Sequence, residues 1–173
     1  MVKLGIISDT HIYSDDNAEE VKRLLKEIKK AFKDVDQIIH AGDVCEAFLV
    51  DRLNDIAPTT CVKGNMDKIV NLDKFIILSA GSYRIGVIHE PPQDLKGFFK
   101  TQNIHILIHG HTHAPLIKGT PYNTLIVNPG SPTRPVAPPK KPYFQDPIAR
   151  PSVITLSVNE NDLLSTYLIN LQL

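Results

Sequence analysis

The chain has 173 residues, 42% of them hydrophobic and 22% charged, with 19 basic side chains balanced by 19 acidic ones. That profile fits one domain, residues 1–173, with a core of its own. The balanced charge supplies no basic field for nucleic acid, so no sequence-specific nucleic-acid binding is expected, although a nucleotide stays open as a small substrate.

"VKLGII" is a near-continuous apolar run of strand length, as in a strand buried on both faces. A helix begins near Asn17, where Glu19 and Glu20 suit the first turn. Val21, Leu24, Leu25, Ile28 and Phe32 then form one apolar stripe at helical spacing. "DQIIHAGD" reads as a second strand ending in a turn, and "CEAFLVDRLNDIA" as a helix stopped by Pro58. "TTCVKGN" follows as a third strand, so the first third alternates as a parallel sheet requires.

The organisation then changes. "KFIILSAGSYRIGVIHE" predicts a hairpin about a Gly-Ser turn, and "DLKGFFKTQN" a short helix. "HILIHGHTH" is a strand running into a loop, and the stretch from Pro115 to Gly130 predicts a second hairpin. Eight of the 13 prolines fall between Pro129 and Pro151, which predicts an irregular surface loop within the domain. "SVITLSV" and "LLSTYLIN" close the chain as a last hairpin. Mixed parallel and antiparallel elements predict an α/β fold of two packed sheets with helices outside. Cys45 and Cys61 make no CxxC pair and no disulfide framework. The first apolar run is too short for a signal-peptide core, and nothing approaches about 18 consecutive apolar residues. A cytoplasmic protein without a membrane span is therefore expected.

Chemistry gathers where strands end. Asp9 and His11 follow the first strand, Asp43 the second, Asn65 the third, and His89 the hairpin; His111 and His113 lie in "HGHTH". Sites in α/β sheets form beyond the carboxyl ends of strands, so these loops can converge. Asp9 and His11 are two apart, as are His111 and His113, and in extended chain such residues project to one side. Glycine beside Asp43, Asn65 and His111 permits tight turns. Carboxylate, imidazole and amide oxygen make a mixed donor set suited to manganese, iron or zinc. Seven donors exceed one tetrahedral site and suit two ions that share a bridging carboxylate and a hydroxide.

In the order "DTH", "GD", "GN", "H", "GHTH", the chain resembles the calcineurin-like metallophosphoesterase superfamily. Its size, "GNMD" and "NPGS" are similar to the compact YfcE-like phosphodiesterase branch. The resemblance runs from Asp9 to about Ser131, and the closing hairpin fits the family's final strands. It implies a four-layer α/β/β/α sandwich with two mixed β-sheets. It implies one ion on Asp9, His11, Asp43 and His113, and a second on Asp43, Asn65, His89 and His111, bridged by Asp43. Asp43, Asn65 and His89 would serve at the reacting phosphate. The implied activity is hydrolysis of a small phosphate ester, with a metal-bridging hydroxide attacking phosphorus in line. Manganese comes first among the ions, with nickel, zinc, iron(II) and magnesium also accepted.

Two features narrow the substrate. Two divalent ions, two carboxylates and a hydroxide leave one net positive charge, which a diester monoanion neutralises and a monoester dianion exceeds. Many relatives place histidine after the GN asparagine to protonate the leaving group; Met66 stands here and cannot. Low-pKa leaving groups are then favoured.

The family's HG after its fourth motif is replaced by "HEPP", which puts Glu90 beside His89, and Glu90 is read as pointing away. Asp67 is read as orienting a ligand or turn, and Arg134 as an exposed loop residue. His105 and His109 are read as packing or supporting groups. His40 supports a ligand, faces the phosphate or is structural. The rival from another class is a scaffold, since a eukaryotic retromer subunit shares this fold; retention of His11 counts against it. A phosphomonoesterase or a nucleotide hydrolase is the narrower rival, and metal storage is the weakest. Homo-oligomerisation through the proline-rich stretch stays open.

Overall fold

The computed structural model describes residues 1–173 and finds ten strands and three helices in the expected order. The first sheet is built from β1 (Val2–Ile7), β2 (Gln37–His40), β3 (Thr59–Cys61), β9 (Ser152–Val158) and β10 (Leu164–Asn170). Its order is β10-β9-β1-β2-β3; β1, β2 and β3 run parallel and β9 runs antiparallel to β1. The second sheet contains β4 (Phe75–Ala80), β5 (Tyr83–Ile88), β6 (Ile106–Ile108), β7 (Leu116–Gly119) and β8 (Leu125–Asn128). Its order is β4-β5-β6-β8-β7, with β5, β6 and β8 parallel and an antiparallel strand at each edge.

Strand alternation sorts the apolar residues into layers. Leu4 and Ile6 of β1 meet Ile85, Val87, Ile106 and Ile108 between the two sheets. Ile7 of β1 and Ile38 of β2 face outward, onto Leu24 and Ile28 of α1 (Ala18–Ala31) and Leu49 and Leu53 of α2 (Ala47–Asn54). Leu107 of β6 packs beneath Phe99 of α3 (Leu95–Gln102). The protein is therefore the four-layer α/β/β/α sandwich that the sequence predicts. Gly5 permits the close approach of α1: a Cβ there would stand 2.9 Å from the Phe32 ring.

Asn17 begins α1 by accepting the backbone N–H groups of Glu19 and Glu20, at 3.0 and 3.3 Å. Asn17→Ala is expected to cost about 1 kcal/mol, read as a lower urea midpoint at unchanged slope. The second helix is shorter than its sequence predicts. Cys45 has φ 72, a left-handed conformation that no helix contains, so α2 starts at Ala47. Residues 129–151 hold no helix or strand, as their prolines dictate. No helix is long and apolar enough to cross a membrane.

Candidate metal centre

The loops that leave the parallel strands meet at one end of the two sheets, and their backbones are bent to do so. Asp9, His11, Asp43, Cys45, His111 and His113 all have positive φ, between 43 and 72°. For residues that carry a Cβ, such conformations cost about 1–3 kcal/mol each and persist only where surrounding contacts enforce them. Here the contacts are explicit. Asp9 N–H donates to Gly42 O and His11 N–H to Asp43 O, at 3.0 and 3.1 Å. Ser131 Oγ donates to Asp9 O at 2.7 Å and Thr133 Oγ1 to Thr10 O at 2.8 Å. The expectation that Asp9 and His11 converge as alternate residues of extended chain is therefore corrected: left-handed turns aim them.

Side chains from distant segments then face one another. Asp43 Oδ2 lies 3.4 Å from His89 Nε2 and 3.6 Å from His11 Nε2. Asp9 Oδ1 lies 3.4 Å from His113 Nε2 and 4.0 Å from both His11 Nε2 and His89 Nε2. Asn65 Oδ1 stands 3.0 Å from His89 Nε2 and 3.3 Å from His111 Nδ1. His11 and His113 bring their Nε2 atoms to 3.2 Å. Asp9 with His11 and His113, and Asp9 with Asp43 and His89, are each close enough to share an ion. All seven sequence-predicted donors thus lie in one cluster.

Hydrogen bonds on the far side of the rings show what the cluster lacks. His89 Nδ1 donates to Ala41 O at 2.8 Å and His113 Nδ1 to Arg134 O at 2.9 Å. Those bonds commit the ring proton to Nδ1 and turn the Nε2 lone pair toward the carboxylates. Lone pairs thus face lone pairs across the cluster. Burial raises the Asp9 carboxyl above its ordinary value and lowers His11 below its own. A cation satisfies all these groups together, and the nitrogen-and-oxygen set fits a divalent first-row ion.

Residues 2–146 match the calcineurin-like phosphoesterase superfamily domain. The chain belongs to this superfamily. It is 43% identical over 142 residues to a probable metallophosphoesterase of Methanocaldococcus jannaschii, covering 78% of this chain and 70% of that one. A solved structure of a novel archaeal phosphodiesterase superposes with TM-score 0.69 at 22% identity, over 97% of this chain and 100% of that one. A Vps29 of Entamoeba histolytica complexed with zinc superposes with TM-score 0.67 at 21% identity, over 98 and 99%. Like other calcineurin-like phosphoesterases, this protein is a hydrolase of phosphate esters that works with divalent metal ions.

Around this phosphoesterase centre the remaining residues sort clearly. Asp67 is buried; its Oδ2 accepts N–H from Asp43 at 3.0 Å and Gly64 at 2.7 Å, and its Oδ1 accepts Cys45 N–H at 2.7 Å. It braces two loops, as its place in "GNMD" suggested. His105 Nδ1 accepts Arg84 N–H at 3.0 Å, and the buried His109 donates from Nδ1 to Gly110 O at 3.0 Å, so both are structural. Arg134 is exposed, but its carbonyl holds His113. Glu90 is exposed and is one of the residues that line a cleft with Asn65 and His89.

Two supporting residues were given no role by the sequence. Ser131, the last residue of "NPGS", fixes the Asp9 carbonyl, and its Oγ also accepts Arg134 N–H at 2.9 Å. The Cys45 thiol lies 3.8 Å from His11 Nδ1 and donates to Tyr13 OH at 3.3 Å; burial raises its pKa.

His40 cannot face a phosphate, because it is fully buried. Its Nε2 meets Thr10 Oγ1 at 3.0 Å, its Nδ1 has no partner, and burial lowers its pKa to about 3. The unfolded chain takes up this proton near pH 6.5, whereas the folded chain resists until about pH 3. The contribution of His40 to stability is therefore intact above about pH 6.5 and falls by about 1.4 kcal/mol per pH unit as pH drops through that window. Urea midpoints of His40→Gln are expected to vary less over this range than those of the wild type.

Proposed function

We propose that this chain is a dinuclear phosphodiesterase. Asp9, His11, Asp43 and His113 would hold one divalent ion and Asp43, Asn65, His89 and His111 the other, with manganese the first choice. What supports this reading is the facing of imidazole nitrogens and carboxylate oxygens, His89 Nε2 toward Asp43 Oδ2 and His113 Nε2 toward Asp9 Oδ1, in rings whose Nδ1 protons go to backbone carbonyls. A pair of divalent ions bound there would acidify water, orient it toward phosphorus and neutralise charge that develops on the phosphoryl oxygens.

The chain's own groups do the rest. Asp43 Oδ1 accepts Met66 N–H at 2.8 Å, which leaves Oδ2 for the two imidazoles. Both Asp9 oxygens accept His111 N–H, at 3.2 and 3.0 Å, so the carboxylate keeps its orientation. Asn65 and His89 form part of the wall of the cleft, where a phosphoryl group would be held. Met66, which follows Asn65 in the chain, is exposed and has no proton to give. His40 is too deeply buried to replace it, so the leaving group departs without help from either residue. That favours esters of acidic alcohols and phenols.

The test is hydrolysis of bis(p-nitrophenyl) phosphate against p-nitrophenyl phosphate by chelator-stripped protein, with manganese, nickel, zinc or magnesium restored singly. Metal-dependent turnover with kcat/KM roughly tenfold or more in favour of the diester is expected. Preference for the monoester would overturn the argument from Met66. No turnover with any metal, from protein shown to be folded, would favour a binding scaffold. Metal binding alone cannot separate these readings, because a Vps29 of this fold also carries zinc.

A further inference from the structure

The cleft beside the metal centre carries charge that ester hydrolysis does not use. It measures about 500 Å³ and takes Asn65 and His89 as part of its wall. The rest of the wall includes Lys63, Lys74 and Glu90, with Ile88 as its apolar side chain. Both lysines are exposed, and Lys63 N–H donates to Asp73 O at 2.8 Å, so they stand on backbone segments tied together. The ion-paired lysines of this protein are Lys22, Lys30, Lys33 and Lys140; the two in the cleft have no carboxylate partner. Two lysines and one glutamate therefore line the cleft to whose wall Asn65 and His89 also belong, a surplus of one positive charge.

The opposite flank differs. A cleft of about 460 Å³ beside His11 sets Arg23 and Arg134 against Asp16 and Glu20, with charges in balance. The Lys63 side also has no Phe, Tyr or Trp in its wall on which a base could stack, and Ile88 is its one apolar side chain. Its chemistry suits an anion.

We infer that the substrate is a phosphodiester bearing a second phosphate group, received by Lys63 and Lys74 while the scissile phosphate sits at the metal centre. This rests on the phosphodiesterase reading above. Lysine serves phosphate as a point charge on a flexible stem, so the subsite selects for charge more than for shape.

Two chromogenic diesters that differ by one phosphate test it: thymidine 5′-(p-nitrophenyl phosphate), and the same compound carrying a 3′-phosphate. Both release p-nitrophenolate, so the bond broken is the same. The 3′-phosphate is expected to lower KM about tenfold at similar kcat, and the advantage to shrink as salt rises. In Lys63→Ala/Lys74→Ala the ratio of the two KM values is expected to fall to about one, while Lys29→Ala on the exposed face of α1 retains it. A wild-type ratio near one, or a ratio that survives in the double variant, overturns the inference.

Calorimetry with thymidine 3′,5′-bisphosphate, with and without manganese, separates this claim from the catalytic one. Loss of about tenfold in affinity in the double variant, in a protein that hydrolyses neither diester, would keep the anion site and reject the hydrolysis. Unchanged affinity would reject the anion site.

Discussion

Asp43→Ala is expected to lower kcat/KM for bis(p-nitrophenyl) phosphate by at least about 10³-fold, with no rescue by excess metal. The reason is geometric. Asp43 Oδ2 is the one oxygen within 3.6 Å of both His11 Nε2 and His89 Nε2, so its loss separates two half-sites. Metal content by mass spectrometry should fall with activity. Stability should change much less, because removing a buried carboxylate from a cluster of opposed lone pairs also relieves desolvation. A variant that keeps its metal and most of its activity would sink the bridging role. Asp43→Asn is the finer probe: it keeps shape and one oxygen but gives up the charge.

Asp67→Ala is expected to do nearly as much harm although Asp67 is not itself a proposed ligand. Its carboxylate is the acceptor for three backbone N–H groups, those of Asp43, Gly64 and Cys45. Alanine leaves all three without that acceptor, at about 1–3 kcal/mol for each that water cannot reach. The left-handed turn at Asp43, φ 56, then loses a bond that helps to hold it. The urea midpoint should drop by the equivalent of about 3 kcal/mol or more, and metal affinity should weaken roughly 10–100-fold. Stable protein with normal metal affinity would show that the Gly64 turn holds Asp43 unaided. That turn is already tight: a Cβ on Gly64 would collide with the backbone nitrogen and carboxylate of Asp43.

Much of this fold is legible in the sequence because its elements advertise themselves locally. Alternation and the apolar stripe from Val21 to Phe32 mark strands and helices, and Asn17, Pro58 and the prolines after Asn128 mark their limits. The donors are legible too, since each stands at the end of an apolar run and their residue types suit one kind of ion. Two departures have local causes that spacing cannot encode. Cys45 takes a left-handed turn and shortens α2, and the alternate-residue argument for Asp9 and His11 fails because both residues are themselves left-handed.

Read along the chain, the residues give the order of elements, the superfamily and seven proposed donors. How they meet depends on packing between distant segments. His11 and His113 are 102 residues apart, and nothing along the chain says that their Nε2 atoms stand 3.2 Å from each other. The same holds for His40, whose burial removes it from the chemistry, and for Glu90, which the fold brings to the wall of one cleft with Lys63 and Lys74. Periodicity reports which face of an element is apolar. Which face meets which, and which charges are left without partners, follows from packing two sheets and three helices into one body.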